Sequence, residues 1–245
     1  MTTHLIELPL SLRSLHRWAG SRKLPDDEGL LLHHLLGETF GPAVLQPFRL
    51  MVAPRAQNGT LYAYANAAAE DLRHLARPSL TPAHAEVVDL DRLQSLPRPQ
   101  ANWTAGMRLG FDLRLRPVVR LNSALSGKDE NGAAVSFRKA AEVDAFLATV
   151  LRGKQTAREA VYVNWLSDRL SPAAALEIEM TRLASFRRLR VWRNGKPLEG
   201  PDAVLHGTLS VTDPVAFAEL LSQGIGRHRS YGYGMLLLRP PQRVR

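Results

Sequence analysis

The stretch that decides the fold lies near the C-terminus, where residues 205–238 read LHGTLSVTDPVAFAELLSQGIGRHRSYGYGMLLL. The apolar runs at its two ends, 205–211 and 235–238, predict strands. Between them, the Asp213-Pro214 pair predicts a helix start, because aspartate accepts hydrogen bonds from free N–H groups and proline fits the first turn. We expect this helix to end at Gly224, so that the unit reads strand, helix, loop, strand.

The loop between that helix and the last strand, residues 224–234, is called the glycine-rich loop below; it holds four glycines, two arginines and two tyrosines. Glycine lets backbone N–H groups approach a ligand, arginine supplies charge for phosphate, and tyrosine offers stacking surface for bases. Because the glycines lead into a strand and no Gly-Lys-Ser/Thr follows, the two common phosphate-binding turns of nucleotide sites are excluded. A helix C-cap at Gly224 followed by a flexible turn is the alternative. The candidate nucleic-acid-binding residues here are Gly224, Gly226, Arg227, Arg229, Tyr231, Gly232 and Gly234.

Outward from this unit, the chain reads as two successive β-α-β-β-α-β passages. The first occupies residues 1–95 and the second 105–245, and residues 96–104 form a linker because two prolines in three residues oppose both helix and central strand. Within the first passage, Asn58-Gly59 predicts a hairpin turn and residues 84–90 predict the fourth strand. The pattern indicates an α+β fold with two tandem ferredoxin-like (RRM-like) domains. That fold hosts many functions, so the function has to be argued from particular residues.

The composition of the 245-residue chain excludes several function classes. Hydrophobic residues make up 45% and charged residues 22%, which argues against a largely disordered chain. The absence of cysteine excludes disulfides, thiolate metal sites, iron–sulfur clusters and a catalytic cysteine. No apolar run approaches the roughly 18–20 residues that span a bilayer, and residues 1–10 lack the basic start of a signal peptide. We therefore expect a soluble, cytoplasmic protein that does not contact a membrane.

The net charge of +9 points to a polyanionic partner because the charge is unevenly distributed. Residues 1–100 contain ten basic and ten acidic side chains, whereas residues 101–245 contain 22 and 13. Only five of the basic residues are lysines, and arginine offers a planar fork of donors that suits phosphates and base edges. The alternative, that an Arg-rich and Ala-rich composition reflects GC-rich coding, stays open.

A basic segment follows the linker, with Arg114, Arg116 and Arg120 at even spacing. In a strand, residues two apart share a face, so these three arginines would line one side and follow a nucleic-acid backbone. A solvated sheet face is the alternative interpretation. Four more arginines add to the basic field without a predicted placement: Arg187, Arg188, Arg190 and Arg193.

The candidate proton-transfer residue is His33, in a helix whose start is predicted by the acidic residues 26–28, since negative charge suits that end of the helix dipole. Around this helix, the leucines at 31, 32, 35 and 36 share the core face, and His33 lies opposite them with Gly37 one turn away. The glycine leaves room for a ligand, and imidazole suits proton transfer near neutral pH. An ordinary surface pair, His33 with His34, is the alternative. Adjacent histidines point about 100° apart on a helix, and no other histidine has metal-ligand spacing, so we expect no metal site.

These three segments, in this order, resemble the CasE (Cse3) family of CRISPR repeat-RNA endoribonucleases. The likeness is strongest near the C-terminus, over His206-Gly207-Thr208-Leu209, Asp213-Pro214, Gly224-Ile225-Gly226 and Ser230-Tyr231-Gly232-Tyr233-Gly234-Met235-Leu236. The run from Arg114 to Arg120 is similar to the family's basic strand, and Leu32-His33 looks like its catalytic histidine segment. Leu30 departs from the family, since many members carry a tyrosine three residues before the histidine.

The resemblance implies an enzyme that binds the stem-loop of a CRISPR repeat RNA, cuts at the 3′ base of the stem and belongs to a CRISPR effector complex. Neither a metal nor another cofactor is implied. The ribose 2′-OH would attack the adjacent phosphorus and leave a 2′,3′-cyclic phosphate and a 5′-OH, with His33 as general base or general acid. A nearby arginine would offset charge in the transition state. Since Leu30 leaves the second catalytic group open, a catalytically inactive RNA-hairpin-binding subunit is the alternative, ahead of a DNA-binding regulator, for which no helix-turn-helix is recognisable.

Overall fold

The computed structural model describes residues 2–193 and 195–241, and these form a mixed α+β fold, which confirms the predicted class. The N-terminal half consists of β1 (Thr3–Ser11), α1 (Leu12–Ser21), α2 (Glu28–Phe40), β2 (Phe48–Met51), β3 (Asn58–Ala65), α3 (Ala69–Ala76), α4 (Pro82–Ala85) and β4 (Gln94–Arg98). The C-terminal half consists of β5 (Arg108–Leu115), β6 (Val118–Arg120), β7 (Leu125–Lys128), β8 (Ala134–Phe137), β9 (Glu142–Asp144), α5 (Ala145–Leu151), α6 (Arg158–Leu170), β10 (Ala174–Leu176), β11 (Arg182–Arg193), β12 (Lys196–Val211), α7 (Pro214–Gln223) and β13 (Leu236–Arg239). The last four positions of the predicted second domain, 242–245, lie outside the described residues. Within the described ranges, no helix is long and apolar enough to cross a membrane.

The N-terminal half is built around an antiparallel sheet with the strand order β2-β3-β1-β4. In the central strand β1, Ile6, Leu8 and Leu10 are buried at every second position, which is the alternation expected of a sheet with one covered face. The leucines of α2 complete this core together with apolar side chains of α1 and α3. The sheet therefore provides the surface on which α2 is fixed.

Two predictions in this half are wrong. Asn58-Gly59 does not form the hairpin turn, because both residues lie inside β3 and pair with the end of β1, while the β2–β3 connection spans residues 52–57. Gly59 instead allows close packing, since a Cβ there would come within 2.9 Å of Leu50 Cδ1. Residues 84–90 do not form the fourth strand; α4 covers the first of them, starting at Pro82 with the Thr81 hydroxyl as its N-cap.

The fourth strand of this sheet, β4, extends into the first residues of the predicted linker. Its Pro97 is tolerated because β4 is an edge strand, where a missing N–H leaves no partner unsatisfied on the open side. The predicted domain ranges 1–95 and 105–245 remain predictions.

The C-terminal half is built around a second antiparallel sheet, ordered β10-β12-β5-β13. On the side away from β5, the long strand β12 pairs with two strands in succession. β11 pairs with its first part, up to His206, and β10 pairs with its last residues, from Leu209 onward. The helix α7 begins at Pro214 with Asp213 as its N-cap and ends at Gly224, as the sequence predicts. The glycine-rich loop therefore starts at a fixed helix end and finishes at the edge strand β13.

The two halves are joined by side chains that cross between their cores. Tyr64 of β3 is buried in the core of the C-terminal half, and its hydroxyl donates a 3.0 Å hydrogen bond to the carbonyl oxygen of Leu236 in β13. Burial raises the pKa of the Tyr64 phenol, so this hydroxyl stays protonated and remains a donor. The N-terminal sheet is thus attached beside the strand that follows the glycine-rich loop.

Tyr64→Phe is expected to lower the free energy of unfolding by roughly 0.5–1.5 kcal/mol, because the buried Leu236 carbonyl loses a hydrogen bond. Urea unfolding measures the loss. Tyr62→Phe is the matched control, since Tyr62 lies on the same strand, is half-buried and has no hydrogen-bond partner for its hydroxyl within the described ranges. Equal losses in both variants would contradict this role of Tyr64.

Candidate active site

His33 lies on the exposed face of α2, as predicted. Asp27 is the N-cap of this helix, since its Oδ1 accepts a 3.2 Å hydrogen bond from Leu30 N–H, and Gly41 is the C-cap, where φ is +94°. The four leucines of the core face are at most 4% exposed: Leu31, Leu32, Leu35 and Leu36. Because these leucines fix the rotation of the helix, His33 must point to solvent.

A cleft of about 210 Å³ lies beside His33. Its lining includes His33, His34 and Gly37 from α2, Gln46 from the following loop and Ser230 from the glycine-rich loop. A Cβ on Gly37 would have no neighbour within 4 Å, so the glycine leaves open space in the helix surface, as the sequence predicts. The rings of His33 and His34 lie edge to face with 5.6 Å between their centroids. Since both rings line the cleft, the choice of His33 over His34 remains a prediction.

The glycine-rich loop packs directly against the start of α2. The carbonyl oxygen of Tyr231 lies 2.5 Å from the position that a Cβ on Gly29 would take, so only glycine permits this approach. The Tyr231 ring lies against the His33 ring, with 4.8 Å between the centroids. Two segments about 200 positions apart in the sequence therefore form one surface at the cleft.

The surroundings of His33 lower the pKa of its imidazole below the ordinary value of about 6.5. Partial burial of the ring is the main cause, His34 and Arg193 add repulsion of the protonated form, and the backbone of Ser230 acts in the opposite direction. The neutral form therefore dominates at neutral pH. A neutral imidazole at the edge of an open cleft is suited to accept a proton from a bound hydroxyl.

The glycine-rich loop packs closely against the rest of the protein, so it is not the flexible turn of the alternative interpretation. Its four glycines, at 224, 226, 232 and 234, all have φ between +74° and +81°. A Cβ on Gly226 would lie 2.8 Å from Trp165 Cη2, and one on Gly234 would collide with the carbonyl oxygen of Ile225. Gly224 is the C-cap of α7, as in the alternative interpretation. The glycines are thus required by the conformation and packing of the loop itself.

The basic side chains of this loop are held by hydrogen bonds to the protein. Arg227 Nε and His228 Nε2 lie 2.7 and 2.6 Å from the two carboxylate oxygens of Glu142 in β9. Arg229 Nη1 donates to the carbonyl oxygen of Gln223. Arg227 is 57% exposed despite its ion pair, so it still presents charge to solvent. The RNA-binding role of these residues remains a prediction.

The expected row of arginines along one strand face is wrong. Pro117 removes a ladder donor, so the strand breaks at 116–117; Arg114 lies in β5, Arg120 lies in β6, and Arg116 lies in the break between them. Arg114 Nε and Nη2 donate to the two oxygens of buried Asp202 at 2.7 and 3.0 Å, and Arg116 is 1% exposed. Only Arg120, in β6, faces solvent. A buried carboxylate needs a paired cation, which explains why Arg114 turns inward.

Sequence reasoning missed the pairing of Arg193 with Asp27. Arg193 Nη1 donates a 2.8 Å hydrogen bond to Asp27 Oδ2, across 166 positions of sequence. The guanidinium carbon of Arg193 lies 3.6 Å from the centroid of the Tyr231 ring, on which it stacks. Since nothing local marks either residue, no sequence signal could have found this contact.

Comparisons with known proteins identify the family of this chain. The sequence pattern of a family described as CRISPR associated protein matches residues 3–240. The chain belongs to this family. Comparison with curated protein sequences gave no match.

The solved structures similar to this CRISPR-associated protein establish its fold. Thermus thermophilus Cse3 bound to an RNA that represents a pre-cleavage complex has a TM-score of 0.65 and 20% identity, covering 98% of this chain and 100% of that one. Cas6e from Escherichia coli K-12 has a TM-score of 0.61 and 21% identity, covering 97% and 99%. A chain of a CRISPR RNA-guided surveillance complex has a TM-score of 0.54 and 16% identity, covering 96% and 98%. The expected resemblance to Cse3 is confirmed at the level of the fold.

Gly234→Ala is expected to lower the free energy of unfolding by about 1–3 kcal/mol, because a side chain at this positive φ is strained and collides with the Ile225 carbonyl. Thermal or urea unfolding measures it. Gly20→Ala in α1 is the matched control, since a Cβ there has no neighbour within 4 Å and alanine favours a helix. Unchanged stability in Gly234→Ala would mean that the loop tolerates a side chain and is not constrained as described.

Proposed function

We propose that this protein is a metal-independent endoribonuclease that binds the stem-loop of a CRISPR repeat and cuts precursor CRISPR RNA at the 3′ base of the stem. The observation that carries the proposal is an exposed histidine of lowered pKa, His33, at an open cleft bordered by the glycine-rich loop. The Cse3-like fold of the chain supports the same function.

The chemistry follows from the nucleophile that RNA itself provides. The 2′-OH attacks the adjacent phosphorus, the bond to the 5′-oxygen breaks, and the products carry a 2′,3′-cyclic phosphate, or a 3′-phosphate after its hydrolysis, and a 5′-OH. His33 takes the proton from the 2′-OH as general base, or gives one to the leaving oxygen as general acid. Such a group contributes roughly 10²–10⁴-fold to the rate.

In the proposal, exposed arginines of the C-terminal half provide the basic surface for the RNA. Arg187, Arg188 and Arg190 are exposed on β11, and Arg120 and Arg227 are exposed on β6 and the glycine-rich loop. Arg187 and Arg188 are paired with Asp202 and Glu199, yet both remain at least 45% exposed and can share their charge with a phosphate. The remaining predicted RNA-binding residues, including Arg114 and Arg116, would act indirectly, by stabilising the conformation of the RNA-binding surface.

Both halves fit the tandem ferredoxin-like arrangement that we propose for the domains. The order β2-β3-β1-β4 arises from a β-α-β-β-α-β succession, and β5, β12 and β13 take the same relative places in the second sheet. We also propose that the protein stays bound to its product as a cytoplasmic subunit of a CRISPR effector complex. The similarity to a chain of an RNA-guided surveillance complex supports this assignment.

A catalytically inactive subunit that only binds an RNA hairpin is the second candidate. The observation in its favour is Leu30, an apolar and half-buried residue on the His33 face of α2, which cannot transfer a proton. The two candidates differ in whether the covalent bond in the RNA is broken.

His33→Ala is expected to abolish cleavage while hairpin affinity stays within a few-fold of wild type, because His33 lies on the surface and no core contact is lost. The substrate is the stem-loop RNA of the CRISPR repeat encoded in the same genome, incubated in EDTA under single-turnover conditions. His34→Ala is the matched control.

The outcomes of that experiment separate the candidates. If His34→Ala fails to cleave the RNA while His33→Ala still cleaves it, the catalytic histidine is His34. Tight binding without cleavage by the wild-type protein would support the inactive subunit. A 2′-deoxy nucleotide before the scissile phosphate should bind and stay intact, since the nucleophile is missing.

Arg120→Ala is expected to reduce the slope of log affinity against log salt by roughly 0.7–0.9, because one phosphate contact is lost. The uncleavable 2′-deoxy stem-loop is the probe. Arg17→Ala is the matched control, since Arg17 is exposed on α1 and pairs with Glu86 at 3.0 Å. An unchanged slope would show that Arg120 does not contact the RNA backbone.

A further inference from the structure

A series of side-chain contacts runs from α2 through the Tyr231 ring and Arg193 and returns to α2. One side of the ring lies against His33, and the guanidinium of Arg193 lies over it, 3.6 Å from the centroid. Arg193 is bound to Asp27, and Asp27 is the N-cap of α2, the helix that carries His33. The contacts therefore start and finish on the same helix, and they pass through the glycine-rich loop and β11.

Asp27 is fully engaged in this arrangement. Its Oδ1 accepts from Leu30 N–H at the helix start, and its Oδ2 accepts from Trp192 N–H at 2.7 Å and from Arg193 Nη1 at 2.8 Å. Its side chain is 4% exposed, and that of Arg193 is 10% exposed. The ion pair is therefore shielded from solvent and fixes the end of β11 to the start of α2.

The guanidinium of Arg193 is oriented by the ring as well as by the carboxylate. Its Nε and Nη2 are buried and have no hydrogen-bond partner among the described residues, which leaves the aromatic face of Tyr231 as their neighbour. A planar cation on an aromatic face is a favourable stack, and it is stronger where water is excluded. Removal of the cation would free the ring to rotate away from His33.

We propose that Arg193 is a positioning residue for RNA cleavage: it holds the Tyr231 ring against His33 and connects the basic strand β11 to the reaction centre. The proposal rests on the proposed ribonuclease function and deepens it. Arg193 lies at the end of β11, the strand whose exposed arginines would contact the RNA. The Tyr231 ring acts through packing in this role, without its hydroxyl.

The same cation also acts on His33 through charge. The charged and titratable groups around His33 are His34 and Glu38 on α2, Tyr231 and His228 on the glycine-rich loop, and Arg193 on β11. Arg193 disfavours the protonated imidazole, so its removal raises the pKa of His33. The limb of the pH–rate profile that reports the titration of His33 then moves to higher pH, whether His33 is the base or the acid.

Arg193→Gln and Arg193→Lys separate positioning from simple structural support. With the repeat stem-loop RNA at saturating protein, both variants are expected to cleave about 10–100-fold more slowly, because misplaced groups lose this much. Affinity for the uncleavable 2′-deoxy stem-loop should change by only a few-fold. The His33 limb of the profile should move upward in Arg193→Gln and stay in place in Arg193→Lys, which keeps the charge.

Tyr231→Phe and Tyr231→Leu test the ring itself. Phenylalanine keeps the stacking face and should cleave within a few-fold of wild type, whereas leucine should resemble Arg193→Lys. Arg17→Gln is the matched control for loss of an ion-paired arginine elsewhere, and melting temperatures of all variants report on folding. Tyr231→Phe as slow as Tyr231→Leu would overturn the proposal, because the hydroxyl would then be the acting group.

The failure of this proposal is distinguishable from failure of the proposed function. If wild-type protein binds the stem-loop and never cuts it, the ribonuclease assignment fails. If wild type cuts the RNA, and both Arg193 variants cut at the wild-type rate with an unmoved pH profile, only the positioning role fails. The positioning role is also overturned if cleavage slows only in proportion to a lowered melting temperature and the His33 limb of the pH–rate profile does not move in Arg193→Gln.

Discussion

Gly29 at the start of α2 has no side chain, and the carbonyl oxygen of Tyr231 lies where a Cβ would collide with it. The contact between the glycine-rich loop and α2 depends on this close approach. It brings the glycine-rich loop onto the helix that carries His33, and it places the Ser230 backbone at the cleft. A larger residue at position 29 would push the loop away and open the surface on which His33 and Tyr231 meet.

The glycine-rich loop can make this approach because its own conformation is fixed from both sides. α7 ends at Gly224 with positive φ, and the Ile225 N–H donates to the Gly234 carbonyl, which closes the loop at its base. Glu142 holds Arg227 and His228 near its middle. The loop is therefore preformed, and little conformational entropy would be lost when a ligand binds to it.

Local patterns predicted those parts of the fold that depend on neighbours in the sequence. The leucine face of α2, the Asp213 cap and the end of α7 at Gly224 follow from helix periodicity and capping, and the structure agrees with each. Asn58-Gly59 has the composition of a hairpin turn, but pairing with β1 and close packing against Leu50 outweigh that local preference. The geometry predicted for the basic segment is wrong, since Arg114 binds buried Asp202 on the neighbouring strand β12, which is far away in the sequence.

The candidate site likewise contains residues that the sequence predicts and residues that only the fold brings together. His33 and the glycine-rich loop were identified by residue type and spacing, whereas Arg193 and Asp27 acquire their roles only when β11 reaches the start of α2. A shielded ion pair of this kind adds little net stability, because desolvation offsets most of the attraction, but it specifies one geometry. An apolar pair of similar volume could hold β11 in place equally well. It would not place a cation over the Tyr231 ring next to His33, and it would not cap the first turn of α2 as Asp27 does.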